Sequence, residues 1–110
     1  MPEPKPTFHA APDEIVQLFH RIVPPVPDVT VRKMFGYPAS FVNDLMFAGV
    51  YQNDIFLRLS PEDRASFLQL DGAALFEPMA GRPMREYVVV PEAILKSDRE
   101  LSAWMDKALA

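Results

Sequence analysis

The side chains best equipped to act on another molecule are basic ones. Arg32 and Lys33 stand ahead of Gly36, and Arg82 and Arg85 flank Pro83-Met84. A guanidinium offers a planar fork to a carboxylate or phosphate, and Gly81-Arg82-Pro83 holds one between a residue that frees the backbone and one that fixes it. These four positions form the candidate anion- or partner-binding set. The competing reading is a group of solvated charges in surface ion pairs, with Arg82 held by Glu77, Glu86 or a backbone carbonyl. Neighbours on a strand point to opposite faces, so Arg32 and Lys33 cannot share one.

Other chemistries find little support. The histidines are His9 and His20. His20 falls in the last turn of a predicted helix, where a cation meets the negative end of the dipole. The chain has no cysteine, which removes thiolate nucleophiles, disulfides and zinc knuckles. None of the serines sits in a Gly-x-Ser-x-Gly elbow, and Ser60 and Ser97 read as helix caps. The acids Glu62, Asp63, Asp98 and Glu100 lie at helix starts, where the dipole explains them. Gly36, Gly49, Gly72 and Gly81 are scattered, so no loop is built to cradle a phosphate. This reading assigns no catalytic residue, no cofactor and no metal. Met34, Met46, Met79 and Met84, with Phe35, Phe47 and Phe56, read as core filler, and Trp104 as a core anchor or dimer contact.

The elements that must position these residues follow from periodicity. Ile15, Leu18, Phe19 and Ile22 fall on one helical face, and Pro24 and Pro25 end that helix. From Val31 to Leu59, aromatic and β-branched runs broken by Asn43-Asp44 and Asn53-Asp54 predict a three-stranded antiparallel meander. Ser60-Pro61-Glu62-Asp63 opens a second helix holding Ala65, Phe67, Leu68 and Leu70, and Asp71-Gly72 stops it. Residues 76–84, with two prolines and a glycine, read as a loop or interrupted edge strand. The unbroken apolar end of Arg85 to Val90 predicts a strand buried on both faces or at an interface. Pro91 opens a helical turn through Ile94 and Leu95. Ser97-Asp98-Arg99-Glu100 matches the capping-box pattern, and Leu101, Trp104, Met105, Ala108 and Leu109 are spaced to line one face of the last helix. The fold expected is α+β: an antiparallel sheet of a meander plus later strand material, flanked by N-terminal, middle and C-terminal helices.

Composition sets the outer bounds. The 110 residues suit one domain over 12–110, preceded by a flexible Pro-rich tail over 1–11. A net charge of −4 disfavours direct nucleic-acid binding, which needs clustered cations. The start of the chain has neither the basic residues nor the apolar run of a signal peptide, and no stretch reaches membrane-spanning length. A cytoplasmic protein without membrane contact is expected. Short apolar strands with few helices to cover them predict a homodimer.

Four blocks in order, Val31-Arg32-Lys33-Met34-Phe35-Gly36, Leu45-Met46-Phe47-Ala48, Ile55-Phe56-Leu57-Arg58-Leu59 and Gly81-Arg82-Pro83-Met84 before Tyr87, resemble the TfoX N-terminal-domain family. The resemblance spans roughly residues 12 to 109 and implies a small α+β domain similar to the secretion-chaperone-like architecture, in which dimers are common. It implies no enzymatic activity and supplies no catalytic residues. The family takes its name from a bacterial regulator of competence for DNA uptake, which carries a second domain whose activities are not transferred. Tyr37-Pro38 follows Gly36 where the family often has another glycine. The expectation is a non-enzymatic interaction module, homodimeric, with a regulatory role and an unidentified protein partner. The alternative is a small-ligand or anion-binding domain edged by Arg32, Lys33, Arg82 and Arg85.

Overall fold

The computed structural model describes residues 12–34, 36–79 and 81–109, without the side chains of residues 78, 79, 82 and 83. The tail expected over 1–11, His9 and Phe35 lie outside this set. Helix α1 (Asp13–Ile22) starts after Pro12, with Asp13 and Glu14 in its first turn and exposed His20 in its last. Leu18, Phe19 and Ile22 are its buried stripe, as their spacing predicts.

The span read as three strands carries four: β1 (Val29–Met34), β2 (Tyr37–Val42), β3 (Leu45–Tyr51) and β4 (Asp54–Arg58). The hairpin missed in sequence turns at Gly36, whose φ of 87° is open to glycine and strained for other residues. Asn43 and Asp44 make the next turn, both left-handed at φ 53° and 62°. The third turn sits one residue earlier than Asn53-Asp54. Tyr51 pairs with Asp54, Gln52 takes φ 55°, and Asp54 becomes the first residue of β4.

Helix α2 (Pro61–Phe67) is capped by Ser60, whose hydroxyl accepts from the Asp63 amide at 3.2 Å. It ends before Leu70, which is 37% exposed instead of packed. Residues 76–84 take the interrupted-edge-strand alternative and not the loop: β5 (Ala74–Met79), at the edge of the sheet, and β6 (Arg82–Val89) form a hairpin whose register shifts on both sides of Phe76. Short α3 (Glu92–Leu95) and α4 (Asp98–Leu109) follow, the latter capped by Ser97 accepting from the Glu100 amide at 3.3 Å.

The sheet is antiparallel, in the order β1-β2-β3-β4-β6-β5. Its helix-bearing face carries the main core, in which Ala48, Val50, Ile55, Leu57, Val88 and Val90 meet Leu18, Phe19, Phe67, Ile94, Leu101 and Met105. Leu101 and Met105 are wholly buried, whereas Trp104, read as a core anchor or dimer contact, is partly covered and meets Phe67 edge-on at 4.8 Å. The opposite face carries a second cluster, so β4 and β6 bury both sides, and the apolar run into Val90 has its explanation. No described helix is long and apolar enough to cross a membrane.

Candidate functional site

The second face is built by strand alternation. Ile55 and Leu57 point to the helices, which turns Phe56 and Arg58 the other way. Phe56 pairs with Val89 and Arg58 with Tyr87, so β6 adds Tyr87 to the same side. Phe76 of β5 stacks on Phe56, with ring centres 4.3 Å apart and planes 11° from parallel, and Tyr87 meets Phe56 edge-on at 5.6 Å. Tyr51 meets Phe76 at 5.5 Å and Tyr37 at 5.4 Å, which extends the array back toward β2. Gly49 makes room for it. A Cβ there would lie 2.5 Å from a ring carbon of Phe56.

Methionines complete the surface. A cleft of about 70 Å³ is lined by Met34, Ala39, Met46, Tyr51, Phe56, Phe76 and Met84, among others. Met34 belongs to β1 and Met84 to β6, with β2, β3 and β4 between them. In a flat sheet those strands would stand four spacings apart, roughly 19 Å. Sharing so small a cleft requires the sheet to curl, so this face is a trough walled by its outer hairpins. Polar groups at its margin are satisfied. The Tyr87 hydroxyl donates to the Met46 carbonyl at 2.9 Å, and burial raises its pKa above the ordinary tyrosine value. Arg58 pairs with Glu86 at 2.8 Å.

The described members of the basic set are divided between strands and faces. Arg32 lies on edge strand β1 and covers the ring of Phe41 at 4.0 Å. Lys33 projects from the other face of β1, and Arg85 is exposed on β6. The side chain of Arg82 lies outside the described residues. The carboxylate of Glu77 accepts from the Gly81 amide, which fastens the hairpin tip. Neither cavity described here is lined by Arg32, Lys33 or Arg85.

A broader depression of about 920 Å³ opens on the helical side between α1, the β3–β4 turn and the start of α4. It is lined by Asp13, Glu14, Asp54, Glu92 and Asp98 against Arg21 and Lys96. Both cations are engaged: Arg21 holds Asp98 through two bonds of 3.0 and 3.1 Å, and Lys96 pairs with Glu92 at 3.5 Å. The hydrogen bond from Arg21 lowers the pKa of Asp98, while burial raises that of Asp54. This surface would repel an anion. Among the described residues, no three His, Cys, Asp or Glu side chains converge as metal ligands would.

Sequence reasoning placed Met34, Met46, Met84 and Phe56 in the core and did not see them, with Phe76 and Tyr87, as a second surface. The available signal was that Ile55-Phe56-Leu57 and Tyr87 to Val90 are apolar without alternation, a pattern that demands cover on both faces. Residues 21–110 match the family model described as the TfoX N-terminal domain. No curated protein matches the chain.

Proposed function

Because the chain belongs to the TfoX N-terminal domain family, we propose that it is a non-enzymatic, cytoplasmic, homodimeric interaction module with a regulatory role, whose trough receives apolar side chains of a protein partner. The observation that carries this reading is the curled apolar face, which no described helix covers. Its size decides between kinds of ligand. Small-molecule pockets run to about 300–1,000 Å³, whereas the cleft of about 70 Å³ suits one inserted side chain. Methionine and aromatic walls favour that use, since thioethers adapt to varied shapes and rings supply large contact area. The acidic depression falls in the small-molecule size range, but its charge opposes the anion expected at the basic residues.

The test is to recover binding proteins with the wild type and with Met46→Lys, which places a charge at the half-buried trough wall. Partners lost by a variant whose circular dichroism is unchanged support the reading. Partners retained by it would remove the trough from the proposal, and sedimentation showing a monomer throughout the micromolar range would remove the homodimer.

A further inference from the structure

The sheet has two edges of different character. At β5 the ladder is interrupted by register shifts, and Pro78 has no amide to offer, two devices that discourage another strand from adding. At the other edge, β1 pairs with β2 from Val29–Val42 through Met34–Tyr37 without a shift, contains no proline, and leaves Val31 41% and Met34 36% exposed. It is an unbroken template.

The direction of its free groups follows from the hairpin. Met34 and Tyr37 flank a two-residue loop, and residues in that position form the closing hydrogen-bonded pair. Hydrogen-bonded pairs alternate, so Arg32 and Thr30 also turn their backbone groups toward β2. The amides and carbonyls of Val31 and Lys33 and the carbonyl of Val29 therefore point outward, while the Val29 amide donates to the Val26 carbonyl at 3.1 Å. We infer that β1 is the homodimer interface, pairing antiparallel with β1 of a second copy about a two-fold axis at Val31 to join the two sheets. This rests on the homodimer reading and adds to it the surface and the register.

Symmetry and charge select the register. A two-fold axis normal to the sheet aligns residues of the same face, so it passes through one residue. At Val31, the two valines face each other and exchange both amide–carbonyl bonds, and Val29 faces Lys33 of the second copy, whose amide donates to the Val29 carbonyl. Asp28, just before the strand, comes beside the Arg32-Lys33 end of the other copy, where the charges complement. An axis at Arg32 would set two guanidiniums directly opposite, which is unfavourable. An axis at Thr30 shortens the overlap within Val29–Met34. Lys33, an edge charge that would resist a random partner, meets an aliphatic residue in the chosen register instead of its own copy.

The chain has no cysteine, so single introduced thiols report the geometry without background. With the axis at Val31, the Cα atoms of the two copies of that residue stand about 5.5 Å apart, inside the disulfide range of about 4.4–6.8 Å. The Arg32 positions are then diagonal, at about 7–8 Å, and outside it. Mild oxidation should link Val31→Cys into covalent dimers much faster than Arg32→Cys, with Leu70→Cys as the off-interface control. Val31→Lys should weaken self-association at least tenfold in sedimentation equilibrium with an unchanged circular dichroism spectrum. A wild-type dimer in which Val31→Cys does not link and Val31→Lys still associates overturns this interface and leaves the homodimer reading standing. Faster linking of Arg32→Cys overturns the register, and a monomeric wild type overturns both interface and homodimer.

Discussion

Gly49 is the residue on which the trough most directly depends, because its missing Cβ lets the Phe56 ring lie across β3. That ring is packed against Phe76 and Tyr87, which limits its escape. Gly49→Ala should therefore act as overpacking, at a cost of about 1–3 kcal/mol in urea unfolding. Combining it with Phe56→Leu, which shrinks the opposing group, should cost less than the sum of the two changes. Additive costs would mean that glycine serves another purpose there. Two carboxylates give opposite pH signatures. Asp54, whose pKa is raised by burial, binds its proton more readily folded than unfolded, so it subtracts stability as pH rises from the ordinary carboxylate value through the raised one. Asp54→Asn should raise the urea midpoint at neutral pH and remove that fall. Asp98, whose pKa is lowered by its bond from Arg21, contributes stability that is present above the ordinary carboxylate value and lost as pH falls through the depressed one. Both side chains are more than half exposed, which keeps that contribution small.

At the scale of elements, local chemistry fixes starts and stops, and distant pairing fixes the rest. The Ser60 hydroxyl caps α2, and Ser60→Ala should cost about 1 kcal/mol, read as a lower melting temperature that Ser60→Asp largely restores. That cap, the one at Ser97 and the stripe of α1 were legible because helix signals lie within a few residues of one another. The β1–β2 hairpin was not, since Gly36 stands among residues of ordinary strand composition and Tyr37-Pro38 does not announce a strand. Leu70 was assigned to α2 by its apolar character, yet the chain leaves the helix at Phe67 and turns at Gly72, φ 82°. The turn signals in residues 76–84 left a loop and an interrupted edge strand as alternatives, and the ladder accommodates the strand by shifting register. The trough was the least legible feature. Phe56, Phe76 and Tyr87 meet because β6 inserts between β4 and β5, and no local pattern states that order. The basic residues were legible as chemistry, and so was the split of Arg32 and Lys33 between faces; which face each takes was not, because it follows from the pairing of Arg32 with Ala39, whose side chain lines the cleft.

Seen whole, the molecule is a single sheet with an apolar cluster on each face, and the question is whether the two faces melt together. They share β4 and β6: Ile55, Leu57 and Val88 bury toward the helices while Phe56, Tyr87 and Val89 serve the trough. Unfolding either cluster exposes apolar surface on the strands that build the other, so neither can be lost alone at small cost. The aromatic residues divide between the two sides in a way that permits a direct test. Trp104, the single tryptophan, packs on Phe67 among the helices, whereas Tyr37, Tyr51 and Tyr87 all belong to the aromatic array that crosses the sheet. Tryptophan fluorescence therefore follows the helical layer, and the part of the tyrosine near-ultraviolet circular dichroism that Tyr87→Phe removes follows the trough, since Tyr87 belongs to that cluster whereas Tyr37 packs in the main core. Both signals should trace one urea transition with the same midpoint and slope. A tyrosine signal lost first, while Trp104 remains native, would mean that the trough is a separately melting layer on a stable helical scaffold.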